Sequence, residues 1–227
     1  MSWRAEPIWK GETCYIVGGG PSLLTQDKSL LAGKNIIVIN SSYLAFPEAQ
    51  FLVFADMRWW CAHLKALKDF PGTIIACSQA ASGHPRLKQM LRSNKLGLAE
   101  DPTTLMVKNT TLTAAINLAA HFAVAKIVLL GIDQQKAADG RTHHHPPHQW
   151  AQTSNCYQRQ QSDLPKIAEG LRARNIECVN ASPGSKLSLW PIVNLVDHVE
   201  PLACDRNAGP GRQCLPAGFH QGAGAAA

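Results

Sequence analysis

The stretch that decides the fold lies near the N-terminus and reads Cys14-Tyr15-Ile16-Val17-Gly18-Gly19-Gly20-Pro21-Ser22-Leu23. An apolar run meets three glycines and a helical pattern follows, which predicts a strand, a tight turn and a helix. Glycine lets a backbone approach a ligand closely, and the N–H groups at a helix start attract phosphate. Pro suits the first helical turn. We therefore predict a phosphate site at Gly18, Gly19, Gly20, Pro21 and Ser22. The alternative is a plain strand-to-helix turn.

This turn differs from two common phosphate-binding motifs. Leu23 stands where the dinucleotide fingerprint has its third glycine, and no Gly-Lys-Ser or Gly-Lys-Thr of a Walker loop follows. The motif therefore indicates a phosphorylated small molecule without naming it.

Apolar runs alternate with helical patterns along most of the chain. The runs are nearly continuous, which is typical of strands covered on both faces. The sequence predicts an α/β fold: a single Rossmann-like domain with a mostly parallel sheet and helices on both faces. The predicted strands are 14–17, 35–39, 51–55, 73–77, 105–107, 126–130 and 176–179. The predicted helices are 22–31, 58–67, 85–91, 111–122 and 163–174.

Composition narrows the class of protein. The chain has 227 residues, 45% of them hydrophobic, and no run of 18 uncharged apolar residues, so we expect no membrane span. Its seven cysteines form no Cys-x-x-Cys pair, which favours a reducing, cytoplasmic setting. The net charge of +6 suits an anionic ligand, but the basic residues form no long run, so a nucleic-acid partner is not indicated.

A change in composition predicts the domain boundary. From about residue 202 the chain turns to Gly, Ala, Pro, Arg and Gln. Such a segment cannot bury enough apolar surface to offset its ordering entropy. We therefore expect one nucleotide-binding, transferase-like domain over 1–201 and a flexible tail over 202–227.

Polar residues follow almost every predicted strand. In an open α/β sheet, ligands bind beyond the carboxyl ends of the strands, so these residues are candidates for a shared site. The alternative is that Asn, Asp, Ser and Thr are also what strand ends and helix caps require. Outside the glycine turn, the candidates are Asn40, Asp56, Thr110, Thr111, Asp133, Asn180 and Ser182.

Asp56 and Asp133 each follow an apolar run. A carboxylate in that position can hold Mg²⁺, accept a ribose hydroxyl or act as a base. The alternative for each is a helix N-cap. Asp133 is taken as a catalytic candidate and Asp56 as a nucleotide-binding one, with Mg²⁺ as a candidate companion of the nucleotide.

The loop 139–154 concentrates four histidines, at 143, 144, 145 and 148. Imidazole titrates near neutral pH and serves as a general base or a metal ligand. In extended backbone His143 and His145 share a side, His144 points the other way, and His148 follows a Pro-Pro turn. We predict His145 and His148 as catalytic or phosphate-contacting residues. The alternatives are an exposed loop that happens to be rich in His and a metal site formed by His143, His145 and His148. Zinc is not expected, because no carboxylate or cysteine lies at a standard spacing.

Several of these residues together resemble a known superfamily. They are the Gly18–Leu23 turn, Asn40, the helix start at Thr110-Thr111, and Lys126-Ile127-Val128-Leu129-Leu130-Gly131-Ile132-Asp133. One branch of that superfamily is the bacterial sialyltransferases that use CMP-sialic acid. The other is the domain-of-unknown-function 115 group, similar to hydroxymethylpterin diphosphokinases. The His loop, followed by Asn180-Ala181-Ser182-Pro183, looks like that of phage-borne members of the second branch.

The resemblance covers about residues 13–199 and implies a nucleotide-using transferase with a histidine base. Gly19 stands where the sialyltransferase branch has an asparagine, and Gln134 and Gln135 stand where it has tyrosines. The pterin kinase branch has a second acidic residue after Asp56, where this chain has Met57-Arg58.

The resulting functional prediction is a transferase that uses a nucleotide or nucleotide-sugar donor, with glycosyl transfer ahead of diphosphoryl transfer. The rival is a non-catalytic phage or prophage accessory protein that binds a nucleotide. The expected partners are a phosphorylated small molecule and a second copy of the chain, as a homo-oligomer.

Overall fold

The computed structural model describes residues 2–146 and 156–199. Nine β-strands form in this part of the chain, most of them from runs of aliphatic and aromatic residues. The strands are β1 (Thr13–Val17), β2 (Asn35–Ile39), β3 (Phe51–Phe54), β4 (Thr73–Ala76), β5 (Leu87–Gln89), β6 (Leu91–Ser93), β7 (Thr104–Met106), β8 (Lys126–Leu130) and β9 (Glu177–Asn180).

The main sheet has seven strands in the order β5-β4-β3-β2-β1-β8-β9, and every neighbouring pair is parallel. Strands β2 to β5 follow one another on one side of β1, and strands β8 and β9 lie on the other side of β1. The order therefore reverses between β1 and β8, where Tyr15 pairs with Val128. A switch point of this kind opens a crevice beyond the carboxyl ends of the strands.

Four α-helices are described, and two of them begin at side-chain caps. Asp56 accepts a hydrogen bond from the backbone N–H of Arg58, and Thr110 accepts one from that of Leu112. Such caps satisfy N–H groups that have no partner inside the helix. The helices are α1 (Met57–His63), α2 (Thr111–His121), α3 (Cys156–Gln161) and α4 (Leu164–Ala173).

Alternate side chains of each strand pack into two buried hydrophobic layers, one on each face of the sheet. Cys14 and Ile16 of β1 face the layer that contains the apolar residues of α2 and α4. Tyr15 and Val17 face the opposite layer, which contains Trp59 and Trp60 of α1. These strands are covered on both faces, which explains why their sequences are continuously apolar. The predicted fold class, a mostly parallel α/β sheet with helices on both faces, is confirmed.

Three predicted elements differ from the structure. The helix predicted over 22–31 is two 3₁₀ helices, Pro21–Thr25 and Lys28–Leu31, because Gln26 is extended and the Asp27 carboxylate caps a new start at Ser29. The helix predicted over 85–91 is wrong. Residues 87–89 pair with β4 instead, and that tertiary pairing overrides a weak local preference. The strand predicted over 105–107 belongs to a separate two-stranded sheet of β6 and β7.

Two predictions about the whole chain stay open. The tail over 202–227 lies outside the described residues, so the boundary at 201 remains a prediction. No helix in 2–146 or 156–199 has the length and apolar character that crossing a membrane requires.

Candidate functional site

An open cleft of about 600 Å³ lies at the carboxyl edge of the sheet, over the switch point between β1 and β8. The turns after β1, β2, β3 and β8 line it, together with the start of α2 and one side of α3. The topology thus brings together side chains that are far apart in sequence. Of the predicted site residues, those that line the cleft are Gly18, Gly19, Gly20, Asn40, Asp56, Thr110, Thr111, Asp133 and His145.

The glycine turn packs tightly against the turn that follows β8. The N–H of Gly18 donates to the carbonyl of Leu130 at 2.7 Å, and that of Gly20 donates to the carbonyl of Gly131 at 2.8 Å. A Cβ atom on Gly18 would lie 2.8 Å from the Gly131 carbonyl oxygen, and one on Gly20 would lie 2.6 Å from it. Gly18 and Gly20 are therefore required by the contact between two backbone turns rather than by a ligand.

Asp133 ties the two turns together. Its Oδ2 accepts a hydrogen bond from the backbone N–H of Ser22 at 2.7 Å, and its Oδ1 accepts one from the Ser22 hydroxyl. The carboxyl group is only 5% exposed. Burial raises the pKa of Asp133, and the two hydrogen bonds from Ser22 oppose that rise. A positioning role accounts for this geometry, and the catalytic role of Asp133 stays a prediction.

The prediction that the N–H groups of this turn hold phosphate stays a prediction, and the bonds of Gly20 and Ser22 do not favour it. Both N–H groups donate to acceptors within the protein. Pro21 has no N–H, and neither Pro21 nor Ser22 lines the cleft. Gly19 differs from its neighbours, because a Cβ atom there would meet the rings of His143 at 3.2 Å and His145 at 3.7 Å. Gly19 is thus the member of the turn that faces the histidine loop across the cleft.

The histidine loop is docked onto the glycine turn. The backbone N–H of His144 donates to the carbonyl of Gly19 at 3.0 Å. The rings of His143 and His145 stack with centroids 4.7 Å apart, and both line the cleft. The His144 ring does not line the cleft, and its Nε2 is buried with no hydrogen-bond partner. Burial, followed by the charges of His145, Lys28 and His143, lowers the pKa of His144 to about 4.

His145 has a defined orientation. Its Nδ1 lies 2.8 Å from the carbonyl oxygen of Pro146. Because a carbonyl only accepts, Nδ1 carries the hydrogen and the lone pair of the neutral ring is on Nε2. Burial lowers the pKa of His145, and the bond to Pro146 opposes that shift. The lowered pKa favours the neutral form of the ring near neutral pH. His148 lies outside the described residues.

Asp56 lines the rim of the cleft with both carboxylate oxygens already engaged. It caps α1 through the Arg58 N–H at 2.8 Å and forms an ion pair with the Arg58 guanidinium at 2.9 Å. The side-chain hydrogen bond from Arg58 is the main cause that lowers the pKa of Asp56. The helix-capping alternative accounts for this residue, and its contact with nucleotide stays a prediction.

Asn180 and Ser182 are not among the residues that line the cleft, and their role as ligand-binding residues stays a prediction. Both are fully buried. The Ser182 hydroxyl accepts the N–H of Ile132 at 2.8 Å, and the Asn180 amide donates to the hydroxyl of Ser185 at 3.0 Å. Ser185 in turn donates to the carbonyl of Ile132 at 2.7 Å. These residues brace the 131–133 turn from behind, because buried backbone groups require partners.

The start of α2 gives the cleft a positive electrostatic character. Thr110 and Thr111 lie at the N-terminus of this 11-residue helix, where the helix dipole favours an anion. Arg92 and Lys108 line the same region. The Arg92 guanidinium is held by the carbonyls of Val107 at 3.1 Å and Lys108 at 3.3 Å. A phosphate group therefore fits this end of the cleft better than it fits the glycine turn.

Sequence reasoning missed the wall formed by Gln134 and α3. Tyr157, Gln160 and Gln134 line the cleft, and the Gln134 Nε2 lies 3.2 Å from the Gln160 Oε1. Within residues 2–146 and 156–199, three buried atoms of this wall and its neighbourhood have no hydrogen-bond partner: the Tyr157 hydroxyl, the Gln134 Oε1 and the Asn40 Oδ1. Gln134 and Asn40 also adopt left-handed backbone, with φ of 53° and 50°. The only sequence signal was the position of Gln134 directly after Asp133.

Across residues 2–146 and 156–199, no group of three His, Cys, Asp or Glu side chains could hold a metal ion. Asp133 is bonded to Ser22 and Asp56 to Arg58, so neither carboxylate offers the uncommitted oxygens that Mg²⁺ prefers. No step of the function proposed below passes through a metal.

No protein-family model matches the chain, and a comparison with curated proteins also finds no match. The resemblance to the domain-of-unknown-function 115 group therefore stays a prediction. Among solved structures, the chain is similar to the sialyltransferase CstII from Campylobacter jejuni in complex with the substrate analogue CMP-3FNeuAc. That match has 11% identity and a TM-score of 0.44, over 80% of this chain and 86% of that one.

A second structure of that sialyltransferase, in complex with a trisaccharide acceptor and CMP, has 12% identity and a TM-score of 0.47. It covers 80% of this chain and 86% of the other. At these values the likeness assigns no activity to this protein, so the functional argument rests on the cleft itself.

Proposed function

We propose that the cleft binds a nucleotide or a nucleotide-activated sugar and that the protein is a transferase, with glycosyl transfer ahead of diphosphoryl transfer. One observation carries the proposal. The partnerless polar atoms of Asn40, Gln134 and Tyr157 belong to the same cleft as the start of α2 and the oriented ring of His145. Buried polar atoms without partners are costly, and a bound polar ligand would complete them.

In this proposal the start of α2 holds the phosphate of the donor. The first N–H groups of a helix point along its axis and have no intrahelical acceptor. Thr110 uses its hydroxyl to cap the N–H of Leu112 at 3.2 Å, and Thr111, the first residue of the helix, lines the cleft. Arg92 and Lys108 add positive charge nearby. The leaving nucleotide would keep its electron pair on the phosphate held here.

His145 would act as the general base. Its Nε2 carries the lone pair, so it can take the proton from the hydroxyl of an acceptor molecule. The acceptor oxygen then forms a bond to the anomeric carbon of the donor sugar while the bond from that carbon to the phosphate oxygen breaks. The proton ends on His145 and the negative charge ends on the nucleotide phosphate, so atoms and charges balance.

The test is a ligand screen followed by a turnover assay. The wild-type protein would be melted with CMP, CDP, UDP, GDP, ATP and their sugar derivatives. A ligand at 100 times its Kd raises the free energy of unfolding by about 2.7 kcal/mol. Asn40→Gly is the informative variant, because glycine keeps the left-handed backbone and removes the Oδ1 acceptor.

The matched control is Asn175→Gly. Asn175 has a similar left-handed backbone, with φ of 54°, and does not line the cleft. We expect Asn40→Gly to weaken the best ligand about tenfold and Asn175→Gly to leave it unchanged. Binding without turnover would show a binding protein rather than a transferase. If no compound in the screen shifts the melting temperature, the proposal is wrong.

A further inference from the structure

The wall of the cleft formed by Gln134 and α3 carries an inference that rests on the proposed function and adds a substrate class to it. Gln134 ends the 131–134 turn after β8, and its side chain reaches the side chain of Gln160 on α3. Tyr157 stands three residues before Gln160 on the same helix, so the two side chains lie on one face of α3.

The hydrogen bond between the two amides orients Gln134 and leaves its oxygen for a ligand. The Gln134 Nε2 donates to the Gln160 Oε1 at 3.2 Å, while the Gln134 Oε1 is buried without a partner. A glutamine that reads the edge of a nucleobase uses its oxygen and its nitrogen together. Gln160 already accepts one of the two hydrogens of that nitrogen, while the oxygen has no hydrogen bond within the described residues. The unpartnered oxygen matches an O–H donor such as a sugar hydroxyl.

Tyr157 supplies a complementary group on the same wall. Its hydroxyl is buried without a partner and lines the cleft with Gln134. Burial, followed by the nearby charges of Cys156 and Asp133, raises the pKa of Tyr157, so the phenol stays protonated at neutral pH. A protonated phenol donates one hydrogen bond and accepts others. A ligand with neighbouring hydroxyls can satisfy an acceptor and a donor at once, because each hydroxyl does both.

The wall is anchored to the opposite side of the cleft. Asp163, which is 2% exposed, follows α3 directly. It accepts the backbone N–H of Asn109 at 2.7 Å and the Asn109 side-chain amide at 2.8 Å. The Arg159 guanidinium of α3 also donates to the Asn109 side-chain oxygen at 3.4 Å. These bonds fix α3 against the segment that leads into α2, where the phosphate would lie.

Backbone strain supports a functional role for Gln134. A left-handed backbone is uncommon for glutamine, and residues held in such conformations cluster at ligand sites. The conformation aims the side chain along the cleft toward Gln160. Glycine at this position would be relaxed but would present no amide.

We propose that Gln134 and Tyr157, with Gln160 as the residue that orients Gln134, bind the ring hydroxyls of a sugar and so set the specificity of the cleft. The hydroxyls belong either to the ribose of the nucleotide or to the sugar that the nucleotide carries. Both sources offer the same chemistry, and ligand pairs that differ by one group separate them.

The experiment is a calorimetric titration of the full chain with matched ligands. CMP, UMP, GMP and AMP are each compared with their 2′-deoxy analogues, and UDP is compared with UDP-glucose. The variants are Gln134→Met, which keeps the length of the side chain without the amide, and Gln160→Met. Gln79→Met is the control, because Gln79 also donates one hydrogen bond, to the carbonyl of Met90 at 3.2 Å, and lies outside the cleft.

We expect Gln134→Met to lose about three- to tenfold in affinity for the hydroxyl-bearing member of a pair and almost nothing for the other, the worth of one neutral hydrogen bond. Loss of the ribose preference would assign the ribose, and loss of the preference for UDP-glucose would assign the carried sugar. Gln160→Met should reduce the same preference. Gln160→Glu should restore it, because a carboxylate still accepts the bond from the Gln134 Nε2.

Two results would overturn the inference. They differ in whether the proposed function fails as well. If Gln134→Met weakens both members of every pair equally, or neither, the wall does not read hydroxyls and the proposed function still stands. If the wild-type protein binds none of these ligands, the proposed function and this inference fail together. Unchanged melting temperatures of the variants would verify that they are folded.

Discussion

Two regions that line the cleft contrast in how their polar groups are satisfied. At the glycine turn, Gly20 and Ser22 donate their N–H groups to Gly131 and Asp133 within the protein. Elsewhere in the cleft, polar atoms of Asn40, Gln134 and Tyr157 are buried with no hydrogen-bond partner among the described residues. The most conspicuous motif in the sequence is therefore a scaffold, and the groups positioned to take a ligand lie at inconspicuous positions.

The difference has a physical reason. Two turns that meet at a switch point must pair their backbone groups with each other, because buried N–H and C=O groups are costly when unpaired. A ligand site has the opposite requirement, since its polar groups must have no partner within the protein until the ligand binds. Variants in the two regions test this contrast, and they are given from the largest expected effect to the smallest.

The largest effect is expected within the glycine turn. In Gly20→Val the new Cβ would lie 2.6 Å from both the Gly131 oxygen and the Asp133 Cγ, and neither atom can move without breaking a hydrogen bond. We expect a loss of about 3 kcal/mol or more in the free energy of unfolding and a drop of roughly 6–12 °C in melting temperature. Differential scanning calorimetry measures it.

Gly19→Val is the matched variant. Its Cβ would lie 3.2 Å from the His143 ring, so it should fold normally but push the histidine loop away and abolish nucleotide binding. Equal stability of the two valine variants would contradict the assignment of Gly20 to the scaffold. Unchanged nucleotide affinity in the folded Gly19→Val protein would remove this turn from the site altogether.

The second effect concerns catalysis at His145. His145→Ala removes the Nε2 acceptor, and a general base contributes about 10²–10⁴-fold to the rate. We expect kcat for donor turnover to fall by that factor while nucleotide affinity stays within about threefold. His84→Ala, at the far edge of the sheet, is the control. A loss of affinity instead of turnover would indicate phosphate contact, and His148→Ala should be assayed beside it for the same split.

The third effect tests whether Asp133 is a catalyst or a brace. Asp133→Asn keeps the shape but weakens two hydrogen bonds from Ser22, at a cost of about 1–3 kcal/mol in stability. Ser22→Ala should cost a similar amount, and the double variant should cost clearly less than the two together, because they share one interaction. More than tenfold loss of turnover in a fully stable Asp133→Asn protein would restore the catalytic role.

The smallest effect is a pH dependence of stability from His144. Its pKa is lowered to about 4 in the folded protein, from an ordinary value near 6.5. Between about pH 6.5 and pH 4, His144 is therefore protonated in the unfolded chain but not in the folded protein. The free energy of unfolding falls as the pH drops through this range. The expected loss is on the order of 2 kcal/mol. The raised pKa of Asp133 acts in the opposite direction as pH falls.

Urea denaturation at several pH values measures this slope. His144→Gln removes the titrating ring, so its stability should vary less between pH 6.5 and pH 4.5 than that of the wild type. An identical slope in the variant would show that His144 is protonated without cost, and the buried docking of the loop on Gly19 would then be wrong.

Much of the fold could be predicted from the sequence, because the strands of the main sheet are covered on both faces and are continuously apolar. The strand after Lys126 and the strand before Gly18 were predicted within a residue for this reason. The helix predicted over 22–31 failed because a single carboxylate, Asp27, restarts the chain as a second 3₁₀ turn. Such a local side-chain cap competes with the helix and leaves no trace in the hydrophobic pattern.

The sequence predicted the residues of the cleft mainly where they directly follow a strand. Asn40 and Asp133 follow apolar runs, and both line the cleft. Gln134 was not predicted, because its significance depends on a left-handed backbone and on Gln160, 26 residues away. Asn180 and Ser182 were predicted from the same pattern but do not line the cleft. They follow a strand, but Ile192 bridges to Asn180 beside them, and their polar atoms point into the protein.

The most direct test of the account is an NMR titration of the isotopically labelled protein with the nucleotide that binds best in the screen. Side-chain amide signals of Asn40, Gln134 and Gln160 and the backbone amide of Thr111 should shift with a common affinity. The backbone amides of Gly20 and Ser22 should shift little, because they remain bonded to Gly131 and Asp133. Large shifts at Gly20 and Ser22, with none at Gln134 or Thr111, would contradict the account and return the ligand to the glycine turn.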